Sequence, residues 1–213
     1  MKLVSVNVGR PRPVDWNDTV VFTSIWKTSV SGPVRVRALN LDGDEQSDLS
    51  VHGGADKAVY AYPAEHYPDW RSDLHRPDLV WASFGENLTT EGLIESEVRI
   101  GDRIRIGSAE FVVTQPRLPC FKLGLRFGRD DIIRRFVIRN RAGFYLRVLQ
   151  EGLIEAGNAM EVIARAGDNP TVAEMSALRN GLVDDPDLLR RALAAPTLTP
   201  GWREHFRRRL EDA

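Results

Sequence analysis

Apolar segments in the first 165 residues are short, and glycine or proline soon interrupts each of them. LVSVNVG at 3–9, VVFTSIWK at 20–27, VRVRAL at 34–39 and AVYAYP at 58–63 either alternate apolar with polar residues or are rich in β-branched ones. Both patterns belong to strands. RIRIGSAEFVVT adds a hairpin, because Gly107 at the first position of a two-residue turn suits type II′ geometry. YLRVLQEG and AMEVIAR carry the pattern to Arg165. Strands this short and frequent predict a mostly β chain, a barrel or sandwich in preference to a βαβ sheet.

Two helices interrupt that region. AEHYPDWRSDL at 64–74 reads as a surface helix, and RDDIIRRFVIRN at 129–140 sets Ile132, Ile133, Phe136 and Val137 on one face. After Gly167 the pattern changes. Thr171 with Glu174 forms a capping-box pair, Asp185 precedes Pro186, and Thr199 precedes Pro200, so three short helices are expected. A boundary near 166 divides a β domain, 1–166, from a three-helix domain, 167–213. Such helices cannot hold a core alone, so they need the β domain or a second copy to pack on. A homodimer would supply that surface.

Composition narrows the function. Lys and Arg number 29 against 30 Asp and Glu, a formal charge of -1. No general field draws this chain to nucleic acid or to an anionic membrane. No run approaches the roughly 18 apolar residues of a membrane span, and MKLVSVNVGRPRP lacks the apolar stretch of a signal peptide. With one cysteine there is no intrachain disulfide, and a reducing cytoplasm is the expected location. His52, His66, His75 and His205 lack the spacing of a zinc peptidase; glycine-rich nucleotide loops are missing too.

The cysteine is Cys120, in QPRLPCFKLG, between Arg117 and Lys122. Nearby cations favour the thiolate that cysteine chemistry needs. Pro116 and Pro119 deny a ladder two donors, so 115–121 is expected to be a strand end or bulged edge. A small thiol filling the core is the competing reading. GDEQSDLSVHGGADKAVYAYP then offers His52, Gly53, Gly54 and Lys57, where glycines let backbone amides approach a ligand and the lysine can neutralise a phosphate. SFGENLTTEGL contributes Asn87, a hydrogen-bonding partner for a polar heterocycle.

VHGGADKAVYAYP, FGENLTTEGL, VRIGDRIRIG and QPRLPCFKL, in that order, resemble the MOSC family. The three-helix extension is similar to its YiiM-like branch. The resemblance implies a closed or partly open β-barrel with flanking helices, a molybdopterin-type molybdenum cofactor, and Cys120 as metal ligand. It also implies that His52, Lys57 and Asn87 line the cofactor or substrate pocket, beside Gly53 and Gly54. Lys27, Arg117 and Lys122 would pair with the cofactor phosphate.

The implied activity is reduction of N-hydroxylated compounds, such as hydroxylaminopurines, to amines. His52 would assist as proton donor, and a separate reductase would supply electrons because the sequence shows no flavin, haem or iron–sulfur motif. The alternative role is a sulfur carrier or cofactor handler with a Cys120 persulfide.

Overall fold

A computed structural model describes residues 1–47 and 53–211. In chain order its elements are β1 Lys2–Val8, β2 Arg12–Trp16, β3 Thr19–Thr23, β4 Thr28–Val30, β5 Val34–Val36, β6 Val59–Pro63, α1 Tyr67–Asp73, β7 Leu88–Glu91, β8 Arg103–Ile106, β9 Ala109–Pro116, α2 Phe121–Phe127, α3 Ile132–Arg139, β10 Phe144–Gln150, β11 Gly152–Ile154, β12 Met160–Ala164, α4 Val172–Arg179, α5 Pro186–Ala194 and α6 Pro200–Glu211.

Eight strands form one sheet in the order β12-β8-β9-β10-β6-β7-β1-β4. Its pairs are antiparallel except β6 with β7. The segment entering β12 returns to the start of β1, where Leu3 N donates to Asn158 O at 3.0 Å and Met160 N to Met1 O at 3.1 Å. The result is a partly open, strongly curled sheet; a closed barrel does not form. β8 and β9 meet at the expected two-residue turn, with Ile106 opposite Ala109. Gly107 there has φ 55°, and a Cβ on it would collide with the Leu153 carbonyl oxygen. Only glycine satisfies both demands.

Two apolar clusters fill the molecule. The first joins Leu3, Val6, Val59, Ile104, Phe111 and Phe144 of the sheet to Met175, Leu189, Trp202 and Phe206 of the helices. The C-terminal helices therefore pack on the sheet and share its core. Asp102, fully buried, reinforces the junction by accepting from Ala166 N at 2.9 Å and Arg165 Nη1 at 2.9 Å. The second cluster stacks Tyr62, Tyr67, Trp70, Phe84 and Phe136.

That cluster takes the buried face of the surface helix expected within 64–74: Tyr67 and Trp70 are fully buried, Pro68, Asp69 and Ser72 are exposed, and a 3-10 turn at Ala64–His66 precedes the α-helix. Of the face expected on 129–140, Ile132 and Phe136 are buried, within the shorter helix α3. The strand expected at 20–27 stops at Thr23, and that at 34–39 stops at Val36.

Candidate functional site

β9 ends at Pro116, where the missing amide ends the ladder, and after the loop at 117–120 the chain turns into α2. Arg117 N holds the connecting loop by donating to Gly143 O at 3.1 Å. Cys120 closes the loop as the N-cap residue of α2 in extended conformation, half-buried, with its carbonyl accepting from Leu123 N at 2.9 Å. The next side chain, Phe121, stacks on Trp16 of the β2–β3 hairpin, ring centroids 4.3 Å apart. A strand end was expected here; the helix that follows was not.

Two cavities meet at this cysteine. The first, about 100 Å³, brings together Cys120, Lys27, Lys57, Asn87, Arg117 and Lys122, six of the positions singled out in the sequence. The second, about 510 Å³, lies between the sheet and the C-terminal helices, with Gly53 and Gly54 on its wall. Lys57, Cys120 and Tyr145 belong to both walls. His52 lies outside the described residues.

The cations of the first cavity differ in what they can offer. Lys27 is buried against Asp44, which also accepts from Gly9 N at 2.8 Å and from Asn87 Nδ2 at 2.9 Å. Burial lowers the Lys27 pKa, and Asp44 works against that shift. Asn87 Oδ1 accepts from Tyr60 N at 3.1 Å, so this amide bridges β6, the β1 end and Asp44. Lys27 and Asn87 thus hold partners inside the protein, which the sequence alone did not disclose.

Arg117 is buried under Tyr60, with Nη1 donating to Tyr60 Oη at 3.2 Å and to Phe84 O at 3.1 Å. Burial opposes its charge, yet Tyr60, Tyr145 and Cys120 around it raise its pKa overall. Lys122 Nζ reaches Ser47 Oγ at 3.3 Å, and burial lowers the pKa of half-buried Lys57.

The remaining wall includes groups that sequence reasoning passed over. Ser24 is 9% exposed, and its Oγ has no hydrogen-bond partner among the described residues. Buried polar groups are normally satisfied, so an unmet hydroxyl on a cavity wall points to a ligand. Glu86 organises the loop behind Asn87 by accepting from Tyr67 Oη, Ala82 N at 2.8 Å, Phe84 N at 3.2 Å and Thr89 Oγ1 at 3.0 Å. Its burial raises the carboxyl pKa while those donors hold it down. Tyr145 is half-buried, its ring 5.4 Å from that of Tyr60. Glu86 belongs to the SFGENLTTEGL stretch beside Asn87, while no local motif marks Ser24 or Tyr145, which come from segments far apart in sequence.

The chain belongs to the MOSC family: residues 48–161, more than half of it, match the MOSC domain. Residues 170–213 match the YiiM-like, 3-alpha helix domain, which places the chain in that branch. YflK of Bacillus subtilis is 37% identical over 209 residues, 98% of this chain and 94% of that protein. The crystal structure of YiiM from Geobacillus stearothermophilus superposes with a TM-score of 0.82 at 34% identity, covering 98% of each chain. A Gibberella moniliformis protein named Reductase is 38% identical over 148 residues, which span 68% of this chain and 26% of that protein.

Proposed function

We propose that the chain is a molybdenum-cofactor-dependent reductase of N-hydroxylated compounds, hydroxylaminopurines among them, in which Cys120 ligates the metal. One observation carries the reading: the only thiol stands where two cavities meet, in a wall that also holds Lys27, Lys57, Arg117 and Lys122.

The donor set suits such a cofactor. A thiolate is the soft ligand that this metal favours, and Lys57 and Lys122 provide charge for a phosphate. Ser24 Oγ, unpartnered among the described residues, is the hydroxyl left for a polar heterocycle, while Asn87, tied to Asp44 and Tyr60, shapes the wall beside it. When bound, the cofactor supplies the two-electron chemistry. Overall, an N–OH compound takes two electrons and two protons; its N–O bond breaks, and the products are the amine and water. A separate reductase provides the electrons, a division of labour compatible with a Reductase relative much longer than this chain. The protein's own part is to orient the N–OH group beside Cys120 and deliver protons there. His52, which precedes Gly53 in the sequence, is the proposed proton donor.

Elemental analysis tests this on protein made in a host that synthesises the cofactor, comparing wild type with Cys120→Ala and assaying pterin in both. Molybdenum near one atom per chain in the wild type, largely lost in the variant, is the expected result, together with turnover of 6-hydroxylaminopurine by the wild type alone. Metal-free, pterin-free wild type would overturn the reading and leave a persulfide carrier role for Cys120, detectable by mass.

A further inference from the structure

The larger cavity is walled on one side by the C-terminal helices, and its chemistry there is uneven. Arg179, the last residue of α4, lines it half-exposed beside Trp202 of α6, the guanidinium lying over the indole at 5.9 Å. Arg179 has no carboxylate and no hydrogen bond among the described residues. The acidic side chain on the same wall, Asp56, is taken by Arg147, whose Nε donates to it at 2.8 Å. Burial lowers the Arg179 pKa, with no anion to offset the cost. Of the neighbouring guanidiniums, Arg208 pairs with Glu204 at 2.8 Å and Arg209 with Asp184 at 2.9 Å, and all three arginines, after burial, depress the pKa of His205. Cys120 and Lys57 line the same cavity as Arg179.

We propose that Arg179 is an oxyanion receptor, and that the cavity accepts N-hydroxylated substrates carrying a phosphate or carboxylate remote from the N–OH group. The aromatic rings of Trp202 and Tyr145 on its wall suit a planar ring system, while the guanidinium fork matches the paired oxygens of either anion. The three-helix unit is on this view a specificity element, filling the side of the cavity that the sheet leaves open. The inference rests on the reductase reading only for what happens at the N–OH end; recognition of the anion stands apart from it.

The test uses cofactor-loaded, full-length protein and a matched series of probes: adenosine 5′-monophosphate, adenosine 5′-carboxylate and adenosine. Calorimetry should show one or both anions binding about tenfold or more tighter than adenosine, a difference of about 1.4 kcal/mol. The phosphate and carboxylate arms tell which oxyanion is meant. Arg179→Gln should abolish the preference and Arg179→Lys should keep part of it, with thermal unfolding and pterin content unchanged in both.

Equal binding of all three probes, a preference that survives Arg179→Gln, or cofactor loss in that variant would each overturn the proposal, the last by making Arg179 a cofactor ligand. Turnover separates the two readings. If no N-hydroxylated compound is reduced while anion binding still depends on Arg179, the receptor stands and the reductase falls. If 6-hydroxylaminopurine is reduced but Arg179 selects nothing, the reverse holds.

Discussion

Asp44 shows how much of the site is decided by single side chains. Its carboxylate is 2% exposed and serves Lys27, Gly9 N and Asn87 together. Asp44→Asn would leave Lys27 a buried, uncompensated cation, and removing one partner of such a pair costs roughly 3–5 kcal/mol. The pH dependence has a definite sign. Burial already holds the Lys27 pKa below 10.5, so the folded state binds fewer protons than the unfolded one below that pH. Stability lost in the variant is therefore recovered as pH rises toward 10.5, because deprotonation removes the stranded charge. Chemical denaturation at pH 7 and pH 9.5 checks this: the gap from wild type should narrow at the higher pH, and a constant gap would refute the account. At this scale the sequence revealed which residues gather around the thiol, since Cys120, Lys57, Arg117 and Lys122 sit in compact motifs. It could not reveal that Lys27 and Asn87 are tied to Asp44, because each partner comes from a different strand or loop.

At the level of elements, legibility followed local signals. Thr171 Oγ1 accepts from Glu174 N at 3.1 Å and Glu174 Oε2 from Thr171 N at 2.7 Å, so the capping box written in the sequence opens α4 as read. Asp185 likewise caps α5, accepting from Leu188 N at 3.1 Å. Thr199 departs from the pattern. Its hydroxyl donates to Gln115 Oε1 at 3.1 Å, tying the start of α6 to β9. Thr171→Ala should cost about 1 kcal/mol, seen as a lower Tm in thermal unfolding, and an unchanged Tm would mean that tertiary packing alone holds α4. Helix α2 escaped notice for a physical reason. It has seven residues, follows two prolines and carries Gly124 at its centre, so neither propensity nor periodicity announces it; burial of Leu123 and Lys122 does the fixing. α1 lies where it was read, and only its partner was hidden, because an amphipathic pattern does not say which surface its aromatic face will meet.

For the whole molecule, short strands with glycine and proline turns foretold a curled β sheet, and of the two surfaces expected for α4–α6, the β domain or a second copy, the sheet is one they use. Sequence placed a boundary near 166, yet Met175, Leu189, Trp202 and Phe206 belong to the same apolar cluster as Leu3 and Phe111. Deleting residues 167–213 should therefore strip the sheet of part of its core: we expect little soluble fragment and no cooperative melt. A fragment that melts cooperatively within a few degrees of the full chain would contradict this. The two clusters also differ in how far along the chain they reach. The aromatic one draws on residues between Ile25 and Ala142, while the other spans Leu3 to Phe206. A chain emerging from the ribosome can thus assemble its aromatic half early and must hold its first strands unfinished until almost the last turn of α6 has been made. Growth of the polypeptide, with its N-terminal domain-first habit, is here a wait for the far end.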